Sequence, residues 1–131
     1  MKTAEEYFEE GVEFQQQDHR EKAIESYEKC VTVNPRYEKA YNNLGVCYRT
    51  KDPAKAIEYY KKATELNGAF YEAYIGWGNV LSDLNEDHEA REKFRKAIEI
   101  DPGKKQGHYK LGLSYAKNDA SKAITCYQKA I

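Results

Sequence analysis

Small and aromatic residues recur along this chain at helical spacing, and the whole pattern recurs about every 34 residues. Gly11, Gly45, Gly78 and Gly112 mark it, in steps of 34, 33 and 34 residues. Four residues ahead of each glycine stands Tyr7, Tyr41, Tyr74 or His108, and three residues after it Phe14, Tyr48, Leu81 or Tyr115. These offsets share one helical face. A glycine inside a helix costs about 1 kcal/mol against alanine, so four of them in one register predict close approach by a second helix. That second helix carries its own stripe, spaced four and then three: Ala23, Tyr27, Cys30; Ala56, Tyr60, Ala63; Ala90, Phe94, Ala97; Ala123, Tyr127, Ala130. The pattern predicts eight helices, over about 4–17, 20–33, 37–50, 54–66, 70–84, 87–100, 104–117 and 120–131.

Boundary signals agree with this division. Thr3-Ala4-Glu5-Glu6 reads as a capping box, and Asp52-Pro53 as a capping carboxylate before a proline at the first helical position. Asp18 is expected to cap the second helix, Asn85 or Asp87 the sixth and Asp119 the eighth. Asn34-Pro35 and Asp101-Pro102 end helix pairs, and Asn67-Gly68 is expected to do so with a glycine terminator. The distance from the aromatic position to the next stripe alternates. It is nine residues from Phe14 to Ala23 and Leu81 to Ala90, but eight from Tyr48 to Ala56 and Tyr115 to Ala123. A second period of 67 residues follows, which duplication of a two-repeat unit or two separate loop deletions would each explain.

A repeat of this length sustained over a chain means stacked helical units, an all-α solenoid. The residues resemble the tetratricopeptide repeat (TPR) family. Tyr41-Asn42-Asn43-Leu44-Gly45-Val46-Cys47-Tyr48 with Ala56, Tyr60 and Ala63 carries the resemblance, as do Tyr74, Trp77-Gly78, Leu81, Ala90, Phe94, Ala97 and Pro102. Glu10 departs from it, standing where the family has leucine. The resemblance implies one TPR domain over 1–131, a right-handed superhelix of four repeats at about 4–37, 38–70, 71–104 and 105–131. It also implies a concave groove, lined by the first helices, that binds a protein or peptide partner. By that alignment the groove candidates are Phe8, Val12, Lys39, Asn42, Asn43, Val46, Arg49, Ile75, Asn79, Tyr109, Lys110 and Leu113. The apolar members would anchor side chains, and the asparagines can bond a peptide backbone through both amide ends. The alternative is that the apolar members merely pack on one another. Only Asn43 matches the family's five-residue carboxylate clamp: Phe8, Val12, Glu72 and Gly76 occupy the other positions, which argues against capture of an acidic chaperone tail.

The two ends differ. Glu6 and Glu13 occupy positions that are small or apolar in later repeats, so repeat one reads as a true end. At the other end no polar capping helix follows, and Ile124, Tyr127 and Ile131 become candidates for self-association. The favoured reading of that open face is a chain cut from a longer array, with packing on another copy as the alternative. Alternatives to an adaptor are therefore a self-assembling structural module or the TPR arm of a larger protein or enzyme.

Composition narrows the remaining classes. The 131 residues include 21 basic and 22 acidic side chains, a net charge of −1, which offers no excess to neutralise nucleic acid. No run approaches the roughly 20 apolar residues of a membrane span. Cys30, Cys47 and Cys126 are odd in number and far apart, which suits buried, reduced thiols and a cytoplasmic location. His19, His88 and His108 are scattered, and no metal-ligand spacing, phosphate loop or nucleophile motif occurs, so the reading is of a non-enzyme with no cofactor.

Overall fold

The computed structural model describes all residues, Met1–Ile131. It contains eight α-helices and no strand: α1 (Ala4–Gln16), α2 (Arg20–Val33), α3 (Glu38–Tyr48), α4 (Pro53–Leu66), α5 (Tyr71–Asp83), α6 (Asp87–Ile100), α7 (Lys105–Tyr115) and α8 (Ala120–Ala130). They form two compact units, Met1–Gly68 and Ala69–Ile131. In the first, α1 pairs with α2 and α3 with α4, and α2 packs on α3; in the second, α5 pairs with α6, α7 with α8, and α6 packs on α7.

The glycines lie at the four pairings, but an aromatic ring rather than a helix backbone takes the vacated space. A Cβ built at Gly11, Gly45, Gly78 or Gly112 would lie 2.5, 2.7, 2.4 or 2.7 Å from a ring carbon of Tyr27, Tyr60, Phe94 or Tyr127 respectively. Tyr27, Tyr60 and Phe94 are among the largest fully buried side chains. The flanking alanines Ala23, Ala56 and Ala90 are wholly buried, so the ring has nowhere to retreat.

The helix ends explain the alternation in loop length. The capping box at Thr3 is formed in both directions, Glu6 N–H to Thr3 Oγ1 at 3.1 Å and Thr3 N–H to Glu6 Oε1 at 3.0 Å. Asp52 and Asp119 cap α4 and α8, each accepting the N–H three residues on at 3.2 Å. Asp18, Asn85 and Asp87, expected as caps, do not act so: His19 and Glu86 hold the cap positions without a side-chain bond, and Asp87 is already the first residue of α6. Asp18 and Asn85 are left-handed, with φ of 61° and 60°. Each closes the preceding helix by a Schellman arrangement. His19 N–H reaches Phe14 O at 2.8 Å and Asp18 N–H Gln15 O at 3.1 Å; Glu86 N–H reaches Leu81 O at 2.9 Å and Asn85 N–H Ser82 O at 3.0 Å. Aspartate and asparagine are the non-glycine residues that tolerate this region best. The nine-residue connections thus contain one extra, left-handed residue, and the eight-residue ones replace it with a capping carboxylate.

Asn67-Gly68 also differs from expectation. Gly68 is not left-handed, and Asn67, at φ −138° and ψ 94°, repeats the extended backbone of Asn34 at −133° and 94°. Gly68 therefore occupies the place of Pro35 and Pro102, and no atom lies within 4 Å of a Cβ built there. Gly68→Pro is expected to raise the unfolding free energy by about 0.4–1 kcal/mol by restricting the unfolded chain, read as a higher urea midpoint at unchanged m-value.

Three local departures are compensated. Glu10 accepts hydrogen bonds from Lys2 and from the buried Ser26 hydroxyl, which hold its carboxyl below the ordinary range. His108 substitutes for tyrosine: its Nε2 lies 3.0 Å from Pro102 O, as Tyr41 Oη lies 3.0 Å from Pro35 O. At the start of α7 the buried Gly107 N–H donates to Tyr71 Oη of α5 at 2.8 Å. All three cysteines are free and buried, and burial pushes Cys30 and Cys47 up to about 11, keeping them protonated.

Candidate functional site

In Met1–Gly68 the candidates on α1 and α3 converge on a polar chain that runs out from the core. Tyr27 comes from α2, its ring seated at Gly11. Its hydroxyl donates to Gln15 Oε1 and accepts from Asn43 Nδ2 at 3.1 Å. Asn42 Nδ2 donates in turn to Asn43 Oδ1 at 3.3 Å. Burial pushes the Tyr27 hydroxyl up to about 12, so it stays neutral and keeps both donor and acceptor capacity. The chain ends at Asn42 Oδ1, which is buried and has no hydrogen-bond partner.

At the Gln15 end of the chain lies a cleft of about 500 Å³ lined by Gln15, Asp18, Arg20, Val46 and Cys47. Arg20 is held by Thr50 Oγ1 at 2.8 Å. Val46 is 50% exposed on α3, an apolar side chain open to solvent. Lys39 is exposed, and Val12 and Arg49 are half-buried. Phe8 is half-buried too, with its ring 5.7 Å from Tyr27 and 5.1 Å from Tyr37, so it mainly packs.

In Ala69–Ile131 the candidates separate. Ile75 is only 3% exposed and presents no surface to a ligand. Asn79 and Lys110 are half-buried. Tyr109 and Leu113, one turn apart on α7, are 49% and 41% exposed. Of the self-association candidates, Ile124 and Ile131 are exposed, whereas the half-buried Tyr127 turns its ring onto Gly112. No helix is long and apolar enough to cross a membrane.

Sequence reasoning missed Asp18, Arg20 and Cys47 as cleft walls, and missed Tyr27 as a link between core and surface. The available signal was the hydroxyl: a core stripe filled by tyrosine rather than phenylalanine brings an oxygen that must be satisfied.

Family models for the repeat match twice, as "Tetratricopeptide repeat" over residues 8–70 and as "TPR repeat" over residues 78–119. The chain belongs to the tetratricopeptide repeat family. Among solved structures, this TPR chain is similar to a crystal structure of MamA, with 29% identity over 97% of this chain and 75% of that one and a TM-score of 0.89. It is similar to YrrB, described as a TPR protein with an unusual peptide-binding site, at 28% identity over 98% and 67% and a TM-score of 0.82. It shares its fold with the first TPR of Spaghetti (RPAP3), bound there to the HSP90 peptide SRMEEVD, at 23% identity over 88% and 92% and a TM-score of 0.84. No curated relative matches the chain. The all-α TPR architecture and the character of a protein-interaction module follow from the family.

Proposed function

We propose that the first-helix face of Met1–Gly68 holds an extended peptide segment of a protein partner. One observation carries the reading: the polar chain Asn42–Asn43–Tyr27–Gln15 reaches, at Gln15, an open cleft with an apolar rim at Val46. With its Oε1 taken by Tyr27, the Gln15 amide keeps its N–H groups to donate to a peptide carbonyl laid in the cleft. Val46 and Val12 supply apolar contact, and Arg20 and Lys39 flank them with positive charge. The peptide-binding description of YrrB supports the same class of ligand.

The test is selection of binders from a random peptide library on the immobilised chain, followed by titration of the best peptide. Val46→Arg, a change at a half-exposed position that leaves the fold intact, is expected to weaken that peptide by about tenfold or more, the loss of one apolar anchor of roughly 1.5–3 kcal/mol. Unchanged affinity for Val46→Arg would remove this face as the binding site.

A further inference from the structure

Positions 67 residues apart in the two units are structurally equivalent, and one neighbourhood has reversed its charge. Tyr48 of α3 corresponds to Tyr115 of α7, and Lys55 to Lys122. Ile24 and Glu28 of α2 correspond to Arg91 and Arg95 of α6, and Tyr59 to Cys126. In Met1–Gly68 the site is neutralised and filled. Tyr48 Oη donates to Glu28 Oε1 at 3.3 Å, the Tyr48 ring stacks on Tyr59 at 5.6 Å, and Lys55 lies 4.8 Å from its centroid. Lys51 sits near too, but its ammonium is paired with Glu21 at 2.8 Å.

In Ala69–Ile131 the stacking tyrosine has become a cysteine and the carboxylate an arginine. Arg91, Arg95 and Lys122 surround the half-buried Tyr115 ring, at 4.9, 5.7 and 5.3 Å from its centroid. The guanidinium groups are held in place: Arg91 Nη1 donates to Ser114 Oγ at 3.2 Å, and Arg95 Nη2 donates to Tyr115 Oη. Neither arginine meets a carboxylate. Lys122 faces only Asp119, at 4.0 Å, and that carboxylate caps α8. The neighbouring Glu92 and Glu99 pair with His88 and Lys96. Three like charges gathered on one ring repel one another, and fixed guanidinium forks match the geometry of a carboxylate.

We propose that this cluster is a second interaction surface, taking a short acidic segment of a protein partner through its aspartate or glutamate side chains. A long polyanion fits it poorly. Only three cations converge, Glu92 and Glu99 stand one helical turn either side of Arg95, and the chain as a whole is net negative. The surface is distinct from the α1–α3 cleft, so either site can fail without the other.

The probe is a fluorescein-labelled peptide of consecutive glutamates between Gly–Ser flanks, with the glutamine analogue as control, read by anisotropy at low and physiological ionic strength. The wild-type chain is expected to bind the glutamate peptide, more weakly as salt rises, and to ignore the glutamine peptide. Arg91→Ile with Arg95→Glu recreates the equivalent residues Ile24 and Glu28 and is expected to weaken binding by about tenfold or more. Lys62→Glu, at an exposed position of the other unit, leaves it unchanged. Should the double variant melt early, Arg95→Gln, a change at an exposed position, carries the same expectation. Equal binding of the glutamine peptide, equal affinity of folded Arg variants, or tighter binding of a single-stranded oligonucleotide than of the glutamate peptide would overturn the proposal.

Discussion

Gly78→Ala lowers the stability of the folded chain by about 1–3 kcal/mol, and the same substitution raises it once Phe94 has become alanine. The added methyl in the first case would meet Phe94 Cε1 at 2.4 Å, Cδ1 at 2.7 Å and Cζ at 2.9 Å. Phe94 is 1% exposed and sits between the fully buried Ala90 and Ala97, so relief requires the α5–α6 pair to separate. Phe94→Ala alone is expected to cost about 3–5 kcal/mol, through lost burial and the cavity it leaves. In that background the methyl enters empty space, and alanine's better helix propensity, worth about 1 kcal/mol, becomes visible. Urea unfolding of the four proteins in the cycle measures this directly. Additive effects of the two substitutions would mean that the ring does not fill the place the glycine leaves.

Tyr71→Phe is expected to cost about 1–3 kcal/mol although it removes a single oxygen. The first N–H groups of a helix have no partner inside it, and Lys104, the N-cap of α7, makes no side-chain cap bond. The Gly107 N–H is buried and reaches Tyr71 Oη at 2.8 Å, so α5 supplies the missing cap from 36 residues away. Phenylalanine fills the same volume and leaves the N–H unpaired in a dry site. Amide hydrogen exchange at Gly107 reports this locally and urea unfolding reports it globally; unchanged protection at Gly107 would refute the capping role.

The helical framework was legible because it rests on near-neighbour chemistry. The glycine–aromatic registers, Thr3, Asp52 and Asp119 all act within one turn or across one pairing, and spacing along the chain reports such relations. Asp18 and Asn85 misled because the same residue types serve at both ends of a helix. Choosing between capping the next helix and closing the last one depends on a backbone angle that composition does not carry. Gly68 misled in the same way, since its lack of a side chain permitted a left-handed turn without requiring one.

The candidate site was legible only in part. Alignment placed Val46 on an accessible face, but Asn42 and Asn43 are half-buried, and Ile75 holds an equivalent first-helix register and is buried. Exposure is decided by neighbours distant in sequence. The arginine pair around Tyr115 escaped notice because each arginine alone reads as a solvated helix residue. Their meaning emerges only against Ile24, Glu28 and Tyr59 at the equivalent positions.

Tyr27 joins two tasks in one side chain, with a ring that closes a helix pairing and a hydroxyl that enters the asparagine chain. At the equivalent position 67 residues on stands Phe94, with the same ring against Gly78 and no oxygen. If that chain takes polar ligands as proposed, a repeat passes between a mute spacer and a reader of them by gain or loss of one atom, with its scaffold undisturbed. Divergence of specificity along such an array need not wait on changes at the surface; it can begin in the core.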